Sequence, residues 1–177
     1  MGWRPSAVAT LVERSSRYLL LVALPEGIKA QAVQPALRDA LHRAPAQLRQ
    51  SLAWDRGREM ATHAELTAHT GCPVYFCDPK SPWQRGTNEN TNRLLRQYLA
   101  RAEDLRGRDQ GALDELAGLL NARPRRVLGW RTPAEVYAQL SSLARKWSSR
   151  KSSAHRAGCR DGPDVVRSFR EASCLKA

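Results

Sequence analysis

A sheet with helices packed on its faces, an α/β fold, is predicted by three observations. Short runs rich in Val, Leu, Ala and aromatic residues recur at residues 7–14, 17–24, 51–55 and 73–77. Between and after them, apolar residues return at helical intervals at residues 30–43, 59–69 and 109–120. Strands and helices alternate along the chain, which is the pattern of layered α/β architecture. The 177 residues give length for one domain with a proper core and little for a second.

Residues 7–14 and 17–24 read as an antiparallel hairpin turning at Ser15 and Ser16, largely apolar on both faces and therefore covered on both. Pro25, Glu26 and Gly27 end the second run. A helix follows over residues 30–43, where Val33, Leu37, Ala40 and Leu41 share a face, and Pro45 limits it. Residues 51–55 are the next strand, 59–69 the next helix and 73–77 another short strand. Residues 109–120 form a helix with Leu113, Leu116, Leu119 and Leu120 as its apolar positions. A basic loop holds Arg123, Arg125, Arg126 and Arg131. Thr132 and Pro133 then cap a last helix over residues 134–143.

This core is expected to span residues 1–143. Residues 144–177 carry nine Lys or Arg against three Asp or Glu, with serines, Gly158, Gly162 and Pro163 breaking any periodicity. They read as a basic, disordered tail. It is either a frame-shifted extension or a segment that touches DNA phosphate.

Lys and Arg total 29 against 17 Asp and Glu, a net charge of +12. That balance favours a polyanion as partner, nucleic acid first. No apolar run approaches the roughly 18 residues that cross a bilayer, and there is no signal-peptide pattern, so no membrane association and a cytoplasmic, nucleoid-associated location are expected. Cys72, Cys77, Cys159 and Cys174 lack Cys-x-x-Cys spacing. A metal site from His63, His69, Cys72 and Cys77 is disfavoured, because the two histidines lie about 120° apart on a helix.

The most informative stretch is residues 78–98. Two prolines and Gly86 make its first half a loop, and Thr87 or Asn88 is positioned to cap a helix. Glu89 falls in the first turn, with Asn92, Arg93 and Arg96 within about 60° of it. Leu94, Leu95 and Tyr98 point the other way. Upstream, Asp55 ends the apolar run Ser-Leu-Ala-Trp-Asp, and 33 residues separate it from Glu89.

Four ordered blocks then carry a resemblance: Thr-Leu-Val-Glu-Arg-Ser-Ser-Arg-Tyr (10–18), Trp-Asp-Arg-Gly-Arg-Glu-Met (54–60), Ser-Pro-Trp-Gln-Arg-Gly-Thr-Asn-Glu-Asn (81–90) and Leu-Asn-Ala-Arg-Pro-Arg-Arg (120–126). With the acid spacing, the chain resembles the DDE transposases of bacterial insertion sequences, of the insertion-sequence-thirty group. The resemblance implies a ribonuclease H-like core, the integrase catalytic core, and metal-dependent cleavage and transfer of DNA strands. It also implies that Asp55 and Glu89 each hold one of two Mg²⁺ or Mn²⁺ ions, whose hard character demands oxygen ligands.

The resemblance further implies a first Asp on a strand immediately before residue 7. Residues 1–6 hold no acid, and Glu13 and Asp39 do not match that position. The expectation is therefore a truncated core that lacks its first strand, with an exposed hairpin edge prone to pairing with another chain, and a polypeptide inactive or nearly so. Lys80, Arg85, Arg93, Arg96, Arg123, Arg125 and Arg126 are candidate phosphate contacts. Trp83 and Gln84 are placed to wedge against a base or sugar, or Trp83 packs on Tyr98. Trp54 and Trp130 are expected in the core. Two other readings stand beside this one. The chain is a non-catalytic fragment that binds DNA, full-length transposase or itself, or it is a basic α/β protein in which Asp55 is a turn residue and Glu89 a helix-start carboxylate.

Overall fold

In the computed structural model, the described residues are 7–54, 60–78, 81, 86–99, 105, 108–154 and 171–176. Among the predicted site residues, Asp55, Lys80, Trp83 and Arg85 lie outside them, as does Gln84. The elements are β1 (Ala7–Val12), β2 (Leu19–Leu24), α1 (Ala30–Arg43), β3 (Leu52–Trp54), α2 (His63–Thr70), β4 (Val74–Phe76), α3 (Gly86–Leu95), α4 (Gln110–Asn121), α5 (Pro133–Ala154) and β5 (Glu171–Lys176). The predicted hairpin, α1, the two short strands and α4 are all present, with ends shifted by a few residues at most, as fraying allows.

The five strands form one mixed sheet in the order β2-β1-β5-β3-β4. β1 runs antiparallel to β2, with Ala7 opposite Leu24 and Val12 opposite Leu19. Strand alternation sorts the core into two layers. Ala7, Ala9, Leu11, Val22, Leu24, Leu52 and Trp54 meet Val33, Leu37 and Leu41 of α1 and Leu66 of α2. On the opposite face Val8, Val12, Leu19 and Leu21 meet Leu95 and Leu99 at the end of α3 and Leu113, Leu116 and Leu120 of α4. Every residue of β1 is buried, which explains why its sequence is apolar on both faces. Trp54 is fully buried.

Three local devices fix this arrangement. At the hairpin turn, Glu13 accepts the backbone N–H of Ser15 at 2.9 Å and of Ser16 at 2.6 Å, and the Ser16 hydroxyl also donates to it. On α4, Asn121 accepts the Leu19 N–H and donates to the Leu19 carbonyl, each at 2.9 Å, while Gln110 accepts from Ala23 N–H at 3.0 Å and donates to the Leu21 carbonyl at 2.8 Å. Two helix amides thus occupy backbone groups along β2, an outer strand of the sheet, which blunts its capacity to pair with another chain. The third device is the capping box that starts α5: Thr132 N–H donates to Glu135 at 2.9 Å and Glu135 N–H donates to the Thr132 hydroxyl at 3.1 Å. Tyr137, further along α5, stacks on Tyr18 at 4.1 Å. Burial, with Tyr18 and Glu13 nearby, pushes its hydroxyl pKa up to about 12.

Three expectations are corrected. The hairpin edge is not exposed, because β5 pairs antiparallel with all six residues of β1. The segment expected to be disordered contains the second half of α5, which runs on to Ala154, and the whole of β5. Trp130 is 71% exposed rather than in the core. It has φ 65° directly after Gly129 at φ 64°, and its N–H bonds back to the Arg125 carbonyl at 3.0 Å, so the loop folds on itself and its tip faces solvent.

Candidate functional site

The first turn of α3 is tied to the sheet by polar contacts the sequence did not announce. Asn88, Thr91 and Leu95 are its buried positions. The Thr10 hydroxyl of β1 donates to Asn88 Oδ1 at 3.2 Å inside the core. Arg17 donates to the Thr87 hydroxyl, and Thr91 Oγ1 donates to the Thr87 carbonyl at 2.9 Å. The helix begins at Gly86, so Thr87 and Asn88 lie within its first turn instead of capping it. Asn88 is used for docking. Glu89, the next residue, is exposed in that first turn, where the helix dipole favours a carboxylate.

On the other side of the site, β3 ends at Trp54, immediately before Asp55. The Trp54 carbonyl accepts the Cys77 N–H at 3.0 Å, which draws the end of β4 against it. Trp54 stands opposite Ala172 of β5, and the following residue of β5, Ser173, stands opposite Thr10. One strand therefore separates Thr10, which holds the first turn of α3, from the end of β3. Two interstrand spacings amount to roughly 10 Å. α3 itself lies against β1 and β5.

The basic candidates fall into distinct environments. Arg93 is exposed on α3 and donates to Asn90 at 3.0 Å. Arg96 is half-buried just beyond the helix end. Arg123 follows α4, donates to the Tyr98 hydroxyl and sits 5.6 Å from the Tyr98 ring centroid, so it links the segment after α3 to the basic loop. Arg125 is half-buried and donates to the Leu120 carbonyl at 3.3 Å. Burial, with Arg123 beside it, lowers its pKa from the usual value. Arg126 is exposed on the short 3-10 turn Arg126–Leu128. Arg93, Arg123 and Arg126 are thus open to solvent, whereas Arg125 is partly committed to the loop.

Among the described residues no group of three or more His, Cys, Asp or Glu is arranged to hold a metal. Glu13 is fully buried with both oxygens engaged at the hairpin turn. The Nδ1 of His63 contacts the Met60 carbonyl and that of His69 the Glu65 carbonyl, while burial pushes the Cys72 thiol up to about 11. Glu89 offers the hard oxygen donor that a divalent cation takes.

Sequence comparison adds the family. Residues 1–82 match the Integrase core domain. This chain carries the integrase core of insertion-sequence transposases. It is 55% identical over 135 residues to the transposase for insertion sequence element IS1086 of Cupriavidus metallidurans, covering 76% of this chain and 40% of that protein. It is 51% identical over 135 residues to the transposase InsI for insertion sequence element IS30A of Escherichia coli, again 76% of this chain and 35% of the relative. The transposase for IS4351 of Bacteroides fragilis is 40% identical over 86 residues, 49% of this chain and 26% of that protein. The chain spans two fifths or less of the length of these curated relatives. The integrase core is a ribonuclease H-like fold whose family is metal-dependent in general, and the mixed sheet with helices on both faces agrees with it. No helix among the described residues is long and apolar enough to cross a membrane.

Proposed function

We propose that this chain is the catalytic-core portion of an insertion-sequence transposase, built for metal-dependent cleavage and transfer of DNA strands, with Asp55 and Glu89 as two of its metal-holding carboxylates. The observation that carries the reading is the approach of the end of β3 to the first turn of α3 across a single strand. Leu52 and Trp54 pack with residues of α1 and α2, and Asp55 follows Trp54 in sequence. A bound Mg²⁺ or Mn²⁺ supplies activation of the attacking oxygen and stabilisation of the leaving oxygen of a phosphodiester. Arg93, Arg123 and Arg126 neutralise phosphates of the passing strand, Lys80, Arg85, Arg96 and Arg125 are further candidate phosphate contacts, and Trp83 is a candidate base or sugar contact.

Glu13 is engaged at the hairpin turn and is not a further metal carboxylate in this reading. Incubation with supercoiled plasmid and Mg²⁺ or Mn²⁺ tests the reading. The expected result is retention of DNA at low salt, with any nicking lost in both Asp55→Asn and Glu89→Gln. Nicking that survives both substitutions, or absence of DNA binding at low salt, would overturn it.

A second reading is a non-catalytic fragment that binds DNA or transposase, and the exposed arginines favour it. Its mark is suppression of transposition by an intact relative on co-expression, undiminished in the Asp55→Asn, Glu89→Gln double variant.

A further inference from the structure

The loop between α4 and α5 places a large apolar ring in water. Trp130 is exposed there, and so is Val127 in the same loop. An indole is amphipathic and carries a large area of flat apolar surface, which is why tryptophan is enriched where proteins meet partners.

The ring is also held in place. A bulky residue seldom adopts a left-handed backbone, and Trp130 has φ 65°. Its conformation is fixed by a set of backbone bonds. The Arg125 carbonyl accepts the N–H of Leu128 at 2.9 Å and of Trp130 at 3.0 Å, the Arg126 carbonyl accepts that of Gly129 at 3.1 Å, and the Arg125 N–H donates to the Arg131 carbonyl at 3.0 Å. Both ends of the loop are anchored. The Arg125 guanidinium donates to the Leu120 carbonyl of α4, and the capping box of Thr132 and Glu135 starts α5 directly after Arg131. Backbone strain of this kind persists where the surroundings enforce it, and it clusters at ligand-binding positions.

Charge decides what the ring faces. Arg123, Arg126 and Arg131 are exposed in the same loop, and residues 116–134 contain four arginines and no Asp or Glu. A partner that matches this loop carries both negative charge and flat apolar faces. DNA carries both: its phosphates pair with guanidinium groups, and its bases stack on aromatic side chains. In an intact duplex the base faces are stacked on one another and only base edges are open to a protein. The faces become available where bases are unpaired.

We propose that the loop of residues 123–131 binds an unpaired stretch of DNA, with a base stacked on the Trp130 ring and the adjoining phosphates held by Arg123, Arg126 and Arg131. The inference rests on the reading of DNA as the partner and adds the form of DNA preferred. It does not depend on Asp55, Glu89 or a metal.

Equilibrium binding of the full chain at one low salt concentration, without divalent cation, tests it. The two probes are a fully paired duplex and a duplex of equal length with a central run of unpaired thymidines, so that the phosphate count is the same. The chain is expected to prefer the unpaired probe. Trp130→Ala is expected to weaken binding to that probe about tenfold while changing binding to the paired duplex by less than about twofold. Trp130→Gly, which suits the left-handed backbone, is expected to do the same, and Trp130→Phe to keep most of the preference. Arg131→Ala should weaken both probes alike and lower the slope of log K against log salt by about one. Equal affinity of the parent chain for the two probes, or equal losses on both in Trp130→Ala and Trp130→Gly, would overturn the stacking site and leave DNA as the partner. Binding of neither probe would overturn both. Unchanged discrimination in the variants, with self-association of the parent chain lost, would assign the ring to a second copy and overturn the DNA site.

Discussion

Thr10 and Asn88, 78 residues apart, hydrogen-bond at 3.2 Å within the core, joining the middle of β1 to the first turn of the helix that presents Glu89. The carboxylate is thereby fixed relative to the sheet through its neighbour in sequence. Asn88→Ala is expected to lower stability by about 1 kcal/mol, the usual net worth of a buried hydrogen bond, and to broaden the backbone amide signals of residues 87–90 in NMR spectra. An unchanged urea midpoint together with unchanged signals would remove this contact from the account.

Asn121 makes two hydrogen bonds to Leu19 of β2. Asn121→Leu keeps the size and loses both, leaving a buried strand N–H and C=O without these partners. The expected loss is about 2–4 kcal/mol, read from urea unfolding, together with concentration-dependent association as the β2 edge becomes available for pairing. A variant equally stable and monomeric would contradict the edge-blocking role.

The capping box of α5 gives a pH signature. The backbone N–H of Thr132, followed by its hydroxyl, holds the Glu135 carboxyl below its ordinary pKa. A carboxylate whose folded pKa is depressed adds stability that is present above its unfolded value, about 4.3, and is lost as pH falls through the folded value. Amide signals of the first turn of α5 are therefore expected to shift and broaden only once pH falls below the ordinary glutamate range. Glu135→Gln should show no such step.

The exposed arginines predict a salt signature. Arg93→Ala and Arg126→Ala are each expected to weaken binding to duplex DNA of any sequence and to reduce the slope of log K against log salt by about one. Arg123→Ala should do the same with an added loss of stability, since Arg123 also packs on Tyr98. Sequence-dependent losses would indicate base reading in place of phosphate contact.

Much of this fold is legible because its information is local. Helix α1 follows from Val33, Leu37, Ala40 and Leu41 at helical spacing, and all four are buried. The doubly apolar β1 and β2 read as a covered hairpin for the same reason. What depends on distant partners was not legible. Glu-Ala-Ser-Cys-Leu-Lys is a weak strand by itself, and it becomes one by pairing with residues about 160 positions earlier, consistent with the strong context dependence of strand formation. Asn121 and Gln110 look like ordinary helix surface until β2 is placed beside them. Trp130 invites burial by its type, yet the left-handed backbone at Gly129 and Trp130 turns the loop outward. In the candidate site, the helix carrying Glu89 was legible, and Arg93 is exposed on it. The Thr10 to Asn88 tie was signalled only by one hydroxyl residue within an apolar strand.

The most direct test of the account is paramagnetic broadening by Mn²⁺ in the spectrum of the full chain. Binding by the two carboxylates predicts that amides near Trp54 and Asp55 and amides of residues 87–90 broaden together, with the effect lost in both Asp55→Asn and Glu89→Gln. Broadening of only one of these regions, broadening centred on His63 and His69, or broadening that survives both substitutions would contradict it.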